Sequence, residues 1–535
     1  MIDRVPGVAI IGAWFFWEWR GVVQSGFSRV RILFLAGVLA LSGCTGEDLL
    51  GQGILVVGLE SNPTNLDPRI ATDAASSRTN QLIYRGLLCK DESGQVVADL
   101  AETWEQLDPT HYRFRIRPGI RFHDGRLLEA EDVRYTFDSL LGTDLASPLR
   151  GTYQAIASVR CPDRQSVLFH LQQPNASFPV SLDLGIVPRP DSPEEERAYR
   201  RLPVGCGPFR FVSWEQGHEI RLVANPGYPE GPPRIRELRF KIIPDNTVRV
   251  LELRKGSVHL IQNDFQPEVL PILERDGRFT ILRGEGTHYS YLGFNLKDPI
   301  LGPVRVRQAI AHALDREAII KYLLGGLAVE ATGLLSPMNW AYEGQVKKYP
   351  YDPGLAKALL DAAGYPDPDG DGPRKRFVLT YKTSQNDLRR RIAEAIQGQL
   401  DAVGVDVHIR SYEWGTFFAD IQKQNFQMYA LTWVGVTDPD IYTYIFSTRN
   451  VPPQGANRGR YENPEIDRLL EGGRGVQDPE SRKKIYSRVQ KILAEELPYV
   501  SLWHGMNVAV MDQRIRGFTL YPNGDLISLK EAWIE

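Results

Sequence analysis

Between residues 377 and 433 the hydrophobic period of the chain changes four times, and this run limits the fold more than any other feature. Residues 377–381 read as a short apolar strand. Leu388, Ile392, Ile396, Leu400 and Val403 then recur at the spacing of a helix buried along one side. Gly404 ends that helix, and Val405, Val407 and Ile409 alternate as a second strand. A short helix over 416–422 leads to a third strand at 428–433. Strand, helix, strand, helix, strand predicts a parallel sheet, because parallel neighbours need a crossover that lies on one face. Ligands of such sheets sit beyond the carboxyl ends of the strands. The third strand ends at Trp433, so the loop Gly435-Val436-Thr437-Asp438-Pro439-Asp440 is the first candidate for a binding site.

The rest of the chain extends this α/β reading. Ile54–Leu59 is a buried strand closed by Ser61-Asn62-Pro63. Residues 97–171 are rich in alternating segments, clearest at Tyr112-Arg113-Phe114-Arg115-Ile116 and again at 167–171. A helix is expected over 125–141, with Glu129, Glu131 and Asp132 near its positive end. Strands return at 209–211, 219–223 and 238–243. Asp352-Pro353 opens a helix that Gly364 closes, and Asp478-Pro479 opens a long one reaching about Glu496, followed by a strand at 499–503.

The N-terminus carries an export pattern. Arg29 and Arg31 precede an apolar run over 32–41 that ends in Leu41-Ser42-Gly43-Cys44. That run is too short to span a bilayer, and a basic flank, an apolar stretch and small residues describe a removable signal. It resembles the bacterial lipobox, which implies that residues 1–43 are removed and that Cys44 is lipidated. Residues 1–27, where Glu18 and Arg20 interrupt an apolar stretch, fit no signal so far upstream. Removal of the first 43 of 535 residues leaves 492, more than one hydrophobic core supports, so two or three lobes are expected. The hydrophobic share of 42% is that of a globular chain. The net charge of −3, with no basic block, argues against a nucleic-acid partner. Cys89, Cys161 and Cys206 leave room for one disulfide, with three possible pairings.

Several chemistries lack their motifs. The nine histidines show no metal-ligand spacing, and there is no Gly-x-Ser-x-Gly, phosphate-loop or His-Glu-x-x-His pattern. Asp367-Pro368-Asp369-Gly370-Asp371-Gly372 resembles half a calcium loop, but Val378 stands where the twelfth-position glutamate belongs, so a rigid turn is expected. No enzyme activity, cofactor or metal is expected.

Many short segments together resemble the peptide/nickel-type (dipeptide/oligopeptide) extracytoplasmic solute-binding proteins of ABC importers, family 5. In order, they are Asn65-Leu66-Asp67-Pro68, Ile83-Tyr84-Arg85-Gly86-Leu87, Leu100-Ala101-Glu102-Thr103-Trp104 and Arg117-Pro118-Gly119-Ile120-Arg121-Phe122-His123-Asp124-Gly125. Ala130-Glu131-Asp132-Val133, Pro203-Val204-Gly205-Cys206-Gly207-Pro208-Phe209, Tyr291-Leu292-Gly293-Phe294-Asn295 and Val304-Arg305-Val306-Arg307-Gln308-Ala309-Ile310 complete the set. Cys206 replaces the family's usual threonine. The resemblance implies a periplasmic-binding-protein-like α/β fold of two hinged lobes with an extra strand-rich inserted domain. Lobe I would comprise 44–83, 206–282 and 503–535, the inserted domain 84–205, and lobe II 283–502.

The same resemblance implies the function and the site. The protein would be a periplasmic or cell-surface lipoprotein, a monomer, that captures a peptide or peptide-like solute between its lobes and delivers it to ABC permease subunits. A ligand sensor of the same fold without transport and a lipoprotein hydrolase are the competing classes. Trp414, within Tyr412-Glu413-Trp414-Gly415, and Trp433, before Val434-Gly435, match the family's aromatic ligand contacts. Tyr291 and Asn295 match a lobe crossing. Dipeptide-binding members place an Asp directly after that Gly to hold the ligand's ammonium; here the position is Val436, and Asp438 or Asp440 would replace it. Lys382 stands near the position of the arginine that holds the ligand's carboxylate.

Overall fold

A single mixed sheet runs through both halves of the molecule. The structure is a computed structural model; it describes residues 48–535 except Ser93, Asp264 and Asp371. The leader 1–43 and Cys44 lie outside the described residues. From one edge, the sheet runs Val405–Tyr412, Phe377–Ser384, Met428–Trp433, Phe279–Phe294, Tyr499–Asp512, Leu260–Gln262, Ile54–Leu59, Glu237–Ile242, Glu219–Ala224 and Phe209–Glu215.

The first three strands are the parallel set read from the sequence. Phe377–Ser384 pairs in parallel with both Val405–Tyr412 and Met428–Trp433. The helix Asp387–Asp401 covers them and buries Ile392, Ile396 and Leu400 on its apolar stripe. At the other end, Ile54–Leu59 pairs in parallel with two strands, and an antiparallel meander finishes the sheet.

Two long strands join these ends. Phe279–Phe294 and Tyr499–Asp512 run antiparallel; their register slips by one residue between Ser290 and Tyr291 and, ahead of that, between Gly284 and His288. On one side of that slip Ala509 and Met511 pack with Leu55, Val57, Leu222 and Phe240. On the other, Tyr289, Tyr291 and Tyr499 belong to a second core with Tyr429, Tyr442 and Tyr486. A ladder shared by two cores is weakest where its register breaks. The strand expected at 499–503 therefore continues to Asp512, because Gly505-Met506-Asn507, which interrupts its apolar run, is where it passes from one core to the other.

A separate antiparallel sheet of Ala101–Asp108, His111–Ile116, Ser166–Leu171 and Ile156–Arg160 has its own core around Phe114, Phe137 and Phe169. The helix over it begins at Ala130, five residues later than expected. The Glu129 amide donates to the Asp132 carboxylate at 2.8 Å, which caps the helix there, and Gly125 at φ +95° belongs to the preceding turn. The signature around Cys206 also has a packing reason. A side chain at Gly205 would collide with the Ile83 carbonyl oxygen, and one at Gly207 would lie 2.5 Å from that of Leu82. Cys89, Cys161 and Cys206 are all free, so none of the three pairings forms, and burial pushes the Cys206 thiol up to about 12. In the 367–372 turn, Arg374 pairs with Asp369 at 3.3 Å and Arg376 with Asp367 at 3.8 Å. Asp371 is outside the described residues.

Candidate functional site

The loop after Trp433 is fixed by the backbone of the neighbouring long strand. Gly435 adopts φ +68°, a conformation open to glycine, and its amide donates to His288 Nδ1 at 3.1 Å. The Val436 amide donates to the Thr287 carbonyl at 3.2 Å, and the Val436 side chain is buried. Burial, reinforced by nearby Arg78, lowers the His288 pKa to about 4, so the ring is neutral and its Nδ1 is free to accept.

The two loop carboxylates are already engaged. Asp438 accepts from Ser177 Oγ at 2.7 Å and pairs with Arg482 at 3.2 Å; Arg482 also donates to Ser177. The Arg482 guanidinium lies 5.4 Å from the Trp340 ring and 5.5 Å from that of Tyr486. Asp440 accepts from Thr443 Oγ1 at 2.9 Å and pairs with Arg474 at 3.1 Å, while its burial raises its pKa. Lys382 is also committed. It is buried, pairs with Asp420 at 2.6 Å and lies 5.5 Å from the Tyr412 ring.

The aromatic candidates form a continuous strip. Trp414 starts the helix Trp414–Gln422, is 55% exposed and stacks on Phe418 at 5.5 Å. The Arg458 guanidinium lies 5.3 Å from the Phe418 ring and 5.0 Å from the Trp433 ring. Trp433 in turn meets the half-exposed Tyr444 at 6.2 Å and stacks over Tyr291 at 6.4 Å. Tyr291 is fully buried, stacked on Tyr499 at 4.0 Å, and accepts from Arg458. Asn295 ends its strand by donating to the Phe426 carbonyl at 3.2 Å and accepting from the Lys297 amide at 3.1 Å. Tyr291 directly follows the second register slip, between Ser290 and Tyr291, so it and Asn295 lie on the second core's side of the sheet. Arg458 escaped the sequence reading. It stands in an irregular loop, and neither period nor motif marks its neighbours at 418 and 433.

A cavity of about 660 Å³ opens near the first register slip, lined by residues from both ends of the sheet and by Thr432 and Val434, the neighbours of Trp433. Glu60, Arg78, Asn263 and Glu268 line it from one side, and His288, Thr432, Val434 and Arg391 from the other. An ion pair of 3.0 Å between Glu268 and Arg391 spans it. None of the eight residues expected from the sequence lines this cavity, but Val434, between Trp433 and Gly435, does. Asp438 instead lines a smaller recess of about 80 Å³ with Val436, Trp340 and Val180, against the inserted sheet's region. A further cavity of about 350 Å³ is lined wholly by residues between 289 and 501.

Comparison with known proteins decides the family. The profile of the bacterial extracellular solute-binding proteins, family 5, matches residues 95–452. The chain belongs to family 5. Its relatives are binding proteins. The oligopeptide-binding protein AppA of Bacillus subtilis is 32% identical over 505 residues, which cover 90% of this chain and 92% of AppA. The solved structure of AppA in complex with a nonapeptide matches with a TM-score of 0.79 at 31% identity, covering 90% of this chain and 99% of that one. NikZ from Campylobacter jejuni, solved in complex with Ni(L-His), matches with a TM-score of 0.80 at 26% identity over 90% of this chain and 99% of its own. The fold is the family 5 arrangement of mixed α/β lobes. Among the described residues no helix is long and apolar enough to cross a membrane.

Proposed function

We propose that this chain is a lipid-anchored solute-binding protein that encloses a peptide or peptide-like solute between two lobes and delivers it to an ABC importer. The observation that carries the reading is the cavity of about 660 Å³ lined by Glu60, Arg78 and Asn263 from one proposed lobe and by His288, Arg391 and Val434 from the other, and spanned by the Glu268–Arg391 ion pair. That volume is in the range of small-molecule sites. AppA, an oligopeptide binder solved with a nonapeptide, supports the solute class.

In this reading lobe I is 44–83, 206–282 and 503–535, the inserted domain 84–205, and lobe II 283–502. The register slip at Gly284/His288 is the hinge, where two strands rather than a packed interface resist bending. Thr432 and Val434 line the cavity on either side of Trp433, so the solute's apolar part runs from the cavity onto the strip of Trp433 and Trp414, beside the close backbone turn at Gly435. Lipid on Cys44 holds the protein at the membrane next to its permease.

Native mass spectrometry of the chain from Thr45, purified without denaturation, tests the reading. A co-purified mass of a few hundred daltons that fragments as amino acids is expected, unchanged after prolonged incubation. A protein that carries no solute and ignores a peptide library would sink it, and steady breakdown of added peptide would point to a hydrolase.

A further inference from the structure

Arg458 is a buried cation whose charge nothing around it balances. It is 6% exposed, and among the described residues no carboxylate lies within ion-pair distance of it. Its Nη1 donates to the Tyr291 hydroxyl at 3.1 Å. Its Nε is buried with no acceptor, and no acceptor meets Nη2. The Nε–Nη2 edge is the pair of parallel N–H groups that matches the two oxygens of a carboxylate. The indole Nε1 of Trp433, whose ring lies against this guanidinium, is also buried without an acceptor. Burying an unpaired charge is costly, and two aromatic faces offset only part of that cost.

The other charges nearby are answered within the protein. Every charged group expected from the sequence to hold the solute already has a partner: Lys382 has Asp420, Asp438 has Arg482, and Asp440 has Arg474. Arg458, which is not one of them, has no opposite charge at ion-pair distance among the described residues. It sits mid-strip between the half-exposed Trp414 and Tyr444, against Trp433, whose neighbours Thr432 and Val434 line the cavity of about 660 Å³.

We propose that Arg458 is the anion anchor of the solute site. A carboxylate carried by the solute docks on its Nε–Nη2 edge, with the Trp433 indole as a further donor, while the solute's apolar part lies along Trp414 and Phe418. Arg458 rather than Lys382 then sets the preference for acidic solutes. This assignment rests on the capture reading above and names the chemistry that capture selects.

The experiment measures binding of three peptide mixtures, two to nine residues long, to the chain from Thr45. One mixture has neutral side chains and free C-termini, the second has the same sequences as C-terminal amides, and the third has amides bearing Glu side chains. Wild type, Arg458→Gln and Arg458→Lys are compared, with unfolding midpoints recorded for each. A carboxylate should tighten wild-type binding roughly 10- to 100-fold over the neutral amides. Arg458→Gln should erase that preference and Arg458→Lys keep part of it. Whether the first or the third mixture gains shows if the carboxylate is the C-terminus or a side chain. Binding without a carboxylate preference, or a preference that survives in Arg458→Gln, overturns the assignment and leaves capture standing. If Arg458→Gln does not fold, an undiminished preference in Arg458→Lys overturns it equally. Failure of wild type to bind any mixture removes capture, and this assignment with it.

Discussion

Arg482 and Arg458 are both buried arginines lying over two aromatic rings, yet their environments are opposite. Arg482 meets Asp438 and Ser177, and its charge is answered within the protein. Arg458 meets a tyrosine hydroxyl and no carboxylate among the described residues. The first ties the loop after Trp433 to the inserted sheet's region through Ser177. The second leaves a donor edge unfilled beside an open aromatic strip. Identical side chains in similar rings thus serve stability in one place and recognition in the other, and the nearby acid makes the difference.

Removing that acid should have the largest effect. Asp438→Ala leaves Arg482 buried without its partner and should destabilise the fold by about 3–5 kcal/mol, read from chemical unfolding. A loss below about 1 kcal/mol would mean that the Asp438–Arg482 pair is not what holds the loop.

Acid should loosen the same loop from its other end. His288 holds the Gly435 amide through a neutral nitrogen, and its folded pKa is lowered to about 4 against an unfolded value near 6.5. As pH falls below about 6.5 the unfolded chain takes up a proton that the folded chain refuses. The stability is therefore complete above that pH and is lost as pH falls toward 4, by roughly 3 kcal/mol from this group. An NMR titration of the His288 ring should show its midpoint near 4; a midpoint near the unperturbed value would mean that the tether is absent.

The smallest effect on stability is expected at Arg458. Arg458→Met removes an uncompensated charge together with its two cation–π contacts, so unfolding free energy should stay within about 1 kcal/mol of wild type. A loss as large as that of Asp438→Ala would show that Arg458 is as structural as Arg482, and the contrast between the two would collapse.

The parts of the fold that could be read directly were those with a local period. Ile392, Ile396 and Leu400 share one helical stripe, and the three parallel strands around that helix follow from the same run. The helix over the inserted sheet was read five residues too early, because acidic residues mark a cap only approximately, and the Asp132 hydrogen bond decided where it starts. The passage of Tyr499–Asp512 from one core to the other left no clear mark, since a single strand keeps its own period whichever core it meets.

The site was less legible, and for the same reason. By itself the sequence determined the α/β class, the loop after Trp433 as a point of interest, and the absence of a family carboxylate at Val436. Those are properties of neighbouring residues. Only the tertiary structure decided which charges are answered. Lys382 finds Asp420 38 residues away, Asp438 finds Arg482 44 residues away and Ser177 261 away, and Arg458 finds Tyr291 167 away. Hydrophobic period is written in steps of two to four residues, whereas pairing of charges depends on where the folded chain returns, and no local pattern encodes that return.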